Sequence, residues 1–382
     1  MAATKVLLPL LVAVFFVGAA ASAYVPAPAP AKNGSRSCYS RLFAFGDSLI
    51  DTGNFISYSA APGPVARPPY GETFFGRPTG RWSDGRLVVD FIVERLGFPY
   101  WTPYLVGKTA EDFRYGANFA VASGTALDQL LFASKGLNVS QITPYSLRIQ
   151  IGWFKQVLTK LASTEHERKK IMASSLFLVG EIGANDYNHP LFQNKTLDFV
   201  EHLVPHVIDS IGRSIETLIK LGAKTLYVPG IFPLGCVPRY LFFYRNSGPS
   251  DYDEIGCLRW LNGLVAGHNE RLKQKVAELH RAHRRRGVSV TYVDYYGEVL
   301  SVIESKHGDR TALHACCAGG GPYNGNFTVH CTEPGAVQCP DPSRYVSWDG
   351  LHLTEATYRV MARGMLDDGK FAMPPIMSRC KK

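Results

Sequence analysis

Four short runs of strand-forming residues, each separated from the next by enough chain for at least one helix, constrain this sequence more than any other feature. They are RLFAF (Arg41–Phe45), SLFLVG (Ser175–Gly180), TLYVP (Thr225–Pro229) and VSVTYV (Val288–Val293). Helical patterns fall between them, the clearest over Asp198–Leu221, where Phe199, Leu203, Val207, Ile211, Ile215, Leu218 and Ile219 recur at helical spacing. Strands that alternate with helices predict an α/β fold with a parallel sheet covered on both faces. In such sheets ligands bind beyond the C-terminal ends of the strands, so the polar residues directly after each run are where chemistry is expected. The 382 residues are 46% hydrophobic and only 19% charged, which excludes disorder for most of the chain, and 36 Gly with 24 Pro exclude a helical bundle. No internal repeat or linker divides residues 38–382, so one domain is expected there.

The N-terminus points to the secretory pathway. Lys5 supplies a positive start, Val6–Ala20 is apolar, and Ala21-Ser22-Ala23 fits a cleavage site, so residues 1–23 are expected to be a signal peptide. Golgi-luminal retention by an uncleaved segment is the lesser alternative to secretion into the extracellular space or cell wall. Residues 24–37 (YVPAPAPAKNGSRS) read as an extended leader, and no later stretch is long and apolar enough for stable membrane insertion. All eight cysteines (38, 236, 257, 316, 317, 331, 339 and 380) follow the signal, an even number suited to disulfides. Cys236 and Cys257 could close one local loop. The cluster from Cys316 to Cys339 could instead hold zinc, but it contains no C-x-x-C pair, and staples are preferred to metal. Asn33, Asn138, Asn194 and Asn326 each head an N-x-S/T glycosylation acceptor.

The net charge of +9 is diffuse. Its densest run, HRAHRRR (His280–Arg286), ends a helical pattern beginning near Asn262, which is a solvated helix end suited to the macrodipole. No nucleic-acid-binding pattern accompanies it. A basic surface suits an anionic matrix.

Three polar blocks stand out. In FGDSLIDTGN (Phe45–Asn54), Ser48 occupies a turn after the first strand, where a hydroxyl is exposed and its own N–H faces outward near an expected helix start. The same position suits a helix N-cap. In GEIGANDY (Gly180–Tyr187), Asn185 offers an uncharged amide donor, or else a simple Asx-turn. In SWDGLHLTEATY (Ser347–Tyr358), Asp349 and His352 are three apart, so a helical turn would face both to one side as orienter and base. A surface ion pair or two metal ligands would also use that spacing.

FGDSLIDTGN, GANFAVASGTALD, GEIGANDY and DPSRYVSWDGLHLTEATYR, in this order, resemble the consensus blocks of the plant GDSL esterase/lipase family, a branch of the SGNH hydrolases. GRWSDGRLVVDF, GIFPLGCVPR and ACCAGGGPYN are similar to that family's intervening segments, so the resemblance runs from about Phe43 to Arg359. It implies a three-layer α/β/α sandwich with a central, mostly parallel sheet, flavodoxin-like in kind. It implies Ser48 as nucleophile, His352 as general base and Asp349 as its partner. The oxyanion hole would take the Ser48 N–H, the Asn185 amide and a backbone N–H from the second block. That block usually reads NFAVAG or NFASGG, whereas this chain has Ala122-Ser123-Gly124. Ser123 can supply the donor if its φ is ordinary; otherwise a shifted loop would use Gly124.

Competing motifs fail. No G-x-S-x-G elbow occurs, and GMLDDGK (Gly364–Lys370) lacks the Ser or Thr that a P-loop needs, because Phe371 follows. No cofactor and no metal are expected. The expected substrate is an acetylated carbohydrate such as cell-wall xylan, met by a monomer. Phe74, Phe75, Trp82, Tyr100 and Trp101 are offered as sugar-stacking faces, with loop packing as the alternative. Esters of lipids or of small specialised metabolites are the second expectation, and a catalytically silent wall-glycan-binding protein the third.

Overall fold

In a computed structural model that describes residues 38–380, five parallel strands form the centre in the order β2-β1-β3-β4-β5. They are β1 (Arg41–Phe45), β2 (Gly116–Asn118), β3 (Ser175–Val179), β4 (Thr225–Pro229) and β5 (Ser289–Val293). Four match the apolar runs to within a residue. β1 is buried from Leu42 onward, and all of β3 and β4 is buried, as a sheet covered on both faces requires. β2 was not expected. Its Gly-Ala-Asn carries no β-branched or aromatic residue, and Gly116 is there for space, since a Cβ would lie 1.7 Å from the Leu42 carbonyl oxygen.

One layer contains the helices Leu147–Leu161, Val204–Leu221 and Arg259–His283, which pack on one another. The other contains Val88–Arg95, Tyr295–Glu304 and Glu355–Arg363. The three-layer α/β/α architecture expected from the sequence is therefore present. The long helix expected over Asp198–Leu221 is two, Leu197–Glu201 and Val204–Leu221. Pro205 explains the break, because it lacks an N–H and its ring would meet the carbonyl one turn back, whereas the first turn of a helix accepts it. The basic run does end a helix: Arg259–His283 passes into a 3-10 turn at Arg284–Arg286 and stops at Gly287, whose φ is 72°.

Residues 51–85 make a largely irregular excursion, holding only the short helix Asn54–Tyr58 and a 3-10 turn at Gly63–Ala66. A nearly fully buried ion pair, Arg81 to Asp90 at 2.7 Å, pins its far end to the helix Val88–Arg95. Four disulfides are formed: Cys38–Cys380, Cys236–Cys257, Cys316–Cys339 and Cys317–Cys331. The last two occupy the cluster for which zinc was the alternative. Among the described residues, no helix is long and apolar enough to cross a membrane. The expected signal peptide, the leader and Asn33 lie outside the described residues.

The strand order reverses between β1 and β3: one half of the sheet grows from each. Connections leaving these two strands diverge, which opens a crevice at their C-terminal ends. Ser48 follows β1 and Asn185 follows β3.

Candidate active site

Ser48 stands in a single turn, not at the start of a helix as expected. Asp51 N–H donates to the Asp47 carbonyl at 3.0 Å, and Leu49 N–H to Asp47 Oδ1 at 3.0 Å, but the first helix begins only at Asn54. The cause is Asp51, whose carboxylate accepts from the N–H groups of Gly53, Asn54 and Phe55 and so caps the later helix. Ser48 N–H has no acceptor among the described residues. Its orientation comes from the turn alone, without a helix dipole.

Asp349 and His352 also share a face without sharing a helix. The turn is made by the Asp349 side chain, whose Oδ1 accepts from Leu351 N–H at 3.0 Å and His352 N–H at 2.8 Å, and by Gly350 at a φ of 91°. This Asx-type turn returns the imidazole onto the same carboxylate. His352 Nδ1 lies 2.7 Å from Asp349 Oδ2, and His352 Nε2 lies 2.8 Å from Ser48 Oγ. Burial would raise the Asp349 carboxyl, but the His352 ring, its hydrogen bonds and Arg239 outweigh it and hold the group well below the usual carboxylate range. An anionic partner fixes the proton on Nδ1 and leaves the Nε2 lone pair facing the serine hydroxyl.

The sequence did not reveal two supports of this pair. Tyr70, fully buried in the irregular excursion, donates its hydroxyl to Asp349 Oδ2 at 2.7 Å. The disulfide cluster supplies the second: Cys316 N–H and Cys317 N–H donate to the carbonyls of Ser347 and Trp348 at 3.0 and 2.7 Å. The segment bearing Asp349 is thus hydrogen-bonded to a doubly cross-linked strand. Of the five aromatics proposed as stacking faces, only Trp82 reaches the site, with its ring 4.8 Å from that of His352. Phe74 and Phe75 cover the guanidinium groups of Arg86 and Arg81, Tyr100 bonds Glu94, and Trp101 is buried. Loop packing is the role of those four.

On the other side of Ser48, Asn185 lies in the first turn of the helix Ala184–Phe192. Its Nδ2 donates to the Gly124 carbonyl at 3.0 Å and to Asp47 Oδ2 at 3.3 Å, while Asn188 Nδ2 donates to its Oδ1 at 3.1 Å, which fixes the amide orientation. The second block forms a tight turn over Val121–Gly124, closed by Gly124 N–H donating to the Val121 carbonyl at 2.9 Å. The condition set for Ser123 is not met, since its φ is 64° at the third turn position, where glycine is normally required. Nor is Gly124 N–H available, because it closes the turn. Ala122 N–H is held by Asp51 Oδ2 at 2.8 Å. That leaves Ser123 N–H as the turn's one donor with no acceptor among the described residues.

Carboxyl groups surround this side. Burial pushes Asp47 and Glu181 upward, and their proximity raises Glu181 further. Burial also raises Asp186 to about 7, although its oxygens accept from Ala126 N–H and Leu127 N–H at 2.8 and 3.0 Å. An open hollow of about 340 Å³ lies over Ser48, Asn185 and His352, walled by Phe232, Val237 and Leu351. Of the glycosylation acceptors, Asn138 and Asn194 are exposed and Asn326 partly so. Among the described residues, no group of three or more His, Cys, Asp or Glu could hold a metal ion.

The chain has relatives that carry a functional name. A GDSL esterase/lipase of Arabidopsis thaliana is 44% identical over 348 residues, covering 90% of this chain and 87% of its own length. A second from the same plant is 44% identical over 345 residues, covering 88% and 92%. A sinapine esterase of Brassica napus is 42% identical over 349 residues, covering 90% and 88%. The sequence profile of the GDSL-like lipase/acylhydrolase family matches residues 42–365. The chain therefore belongs to the GDSL lipase/acylhydrolase family, a family of ester hydrolases.

Proposed function

We propose that the protein is a serine esterase that removes short acyl groups, and that its substrate is an acetylated carbohydrate such as xylan. The observation that carries the catalytic part is the continuous line from Ser48 Oγ through His352 to Asp349, with contacts of 2.8 and 2.7 Å. Ser48 Oγ attacks the ester carbonyl while His352 Nε2 takes its proton, and Asp349 stabilises the imidazolium. The oxyanion is met by the N–H groups of Ser48 and Ser123 and by Asn185 Nδ2, whose longer contact, to Asp47, is the one it exchanges. Collapse expels the alcohol, which receives the proton from His352. Water, activated by the same imidazole, then releases the acid from Ser48.

The short-acyl preference is supported by the small hollow and its apolar wall of Phe232, Val237 and Leu351. Four disulfides favour work in an oxidising compartment, the secretory pathway, with glycans on Asn138, Asn194 and Asn326. A specific observation favours a second reading, esters of small specialised metabolites: the relative from Brassica napus is a sinapine esterase. The test is acetate release from acetylated xylan by the purified glycosylated protein, beside acetyl, long-acyl and aromatic choline esters. Acetate release that vanishes in Ser48→Ala supports the proposal. Preference for long chains rejects its acyl part, preference for choline esters selects the second reading, and undiminished turnover in folded Ser48→Ala rejects the mechanism.

A further inference from the structure

Ser123 holds a backbone conformation that glycine adopts freely and serine does not, with φ at 64°. Such a residue stays in place only where its surroundings hold it. Two contacts do so here. Ser123 Oγ donates to the carbonyl of Gln141, and it lies 3.0 Å from His189 Nε2. With the hydroxyl hydrogen committed to Gln141, the imidazole is the donor and carries its proton on Nε2. Burial lowers the His189 pKa to about 4, so the ring is neutral at ordinary pH and keeps a single N–H for this purpose.

His189 also lies four residues after Asn185 on the helix Ala184–Phe192. Positions four apart share a helix face. One helix therefore carries both the amide on one side of the oxyanion position and the side chain that grips the turn on the other. We propose that His189 is a positioning residue of the oxyanion hole: by donating to Ser123 Oγ, it holds the left-handed turn whose free N–H meets the oxyanion. This rests on the oxyanion role proposed above for Ser123 and Asn185, and adds a residue that touches neither substrate nor nucleophile. It also explains how serine is accommodated where the family's second block usually has glycine.

The test is a double-mutant cycle in kcat and KM on a short-acyl ester. His189→Phe keeps the ring's bulk but cannot donate, and is expected to lower kcat about tenfold with KM within about twofold. His189→Gln, which can return an N–H to the hydroxyl, is expected to recover part of the loss. In a Ser123→Gly background there is no hydroxyl to hold, and His189→Phe is expected to add no further loss. A boronic acid that mimics the tetrahedral anion should bind about tenfold more weakly to His189→Phe when Ser123 is present, and equally in the glycine background. Equal losses in both backgrounds, unchanged kcat, or a loss confined to KM or to thermal stability would overturn the inference. If His189→Phe does not fold, His189→Leu, which also cannot donate, and its Ser123→Gly partner complete the cycle. Asn185→Ala separates the two levels: impaired Asn185→Ala with wild-type behaviour at His189 rejects this inference alone, whereas unimpaired Asn185→Ala rejects the oxyanion hole itself.

Discussion

The two flanks of Ser48 use carboxyl groups in opposite states. On the His352 side, Asp349 accepts two backbone N–H groups, the imidazole and the Tyr70 hydroxyl, and is held as an anion in spite of its burial. On the Asn185 side, burial pushes Asp47, Glu181 and Asp186 upward, toward their neutral forms. The difference matches the charge that each flank would meet in the proposed mechanism. A developing imidazolium needs a fixed negative neighbour, whereas a developing oxyanion would be repelled by one. Burial alone cannot decide between these outcomes; at Asp349 the His352 ring, its hydrogen bonds and Arg239 outweigh it.

The contrast can be broken one flank at a time. The largest effect is expected at Asp349→Asn, which keeps the shape but removes the charge and the tautomer: kcat should fall about 10⁴-fold in steady-state assays. Asn185→Ala should cost about 10² to 10³ in kcat with little change in KM, and a loss as large as that at Asp349 would erase the distinction between the flanks. Two disulfides that close loops of similar length sharpen the comparison further. Removing Cys236–Cys257 or Cys316–Cys339, with separations of 21 and 23 residues, should each cost about 3 kcal/mol of stability in urea unfolding. The second should also lower kcat at a temperature where both variants are folded, because Cys316 bonds the segment bearing Asp349.

The smallest effect concerns pH. The Asp186 pKa of about 7 lies above its unfolded value of 3.8, so the folded state binds more protons between the two. Its contribution to stability is full below about pH 4 and is lost as pH rises through 7. Asp47 and Glu181 act in the same direction. The difference in urea unfolding free energy between the wild type and Asp186→Asn isolates this group from buried histidines such as His189, which act in the opposite direction below pH 6.5. It should decline from pH 5 to pH 8 by about 1.4 kcal/mol per pH unit where Asp186 titrates. A difference that is flat or rising over that range would contradict the neutral state assigned to Asp186.

The sequence displayed these flanks unequally. Ser48, Asn185, Asp349 and His352 were legible because each sits in a compact block, and β1, β3, β4 and β5 because a doubly covered sheet demands continuous apolar runs. Tyr70 was not, since the residue it serves is 279 positions away and nothing local distinguishes it from any other loop tyrosine. The donor of the second block stayed open between Ser123 and Gly124 for a different reason: the contacts on that turn come from Asp51, Gln141 and His189, all outside the block. β2 escaped because Gly116 and Asn118 are chosen for close approach and hydrogen bonding, which override strand propensity. Asp349 and His352 were paired correctly by spacing, but the helical turn invoked for them is an Asx-type turn.

The bridge between Cys38 and Cys380 joins two residues 342 positions apart, at opposite ends of the described chain. Residues 38–380 are consequently a covalent ring. One protease cut in an exposed loop, such as the tip around Gly335, opens the ring without releasing a fragment, and the nicked enzyme migrates as a single species until it is reduced. A chain built this way can be clipped and still keep Ser48 and His352, which lie 304 positions apart, on one molecule.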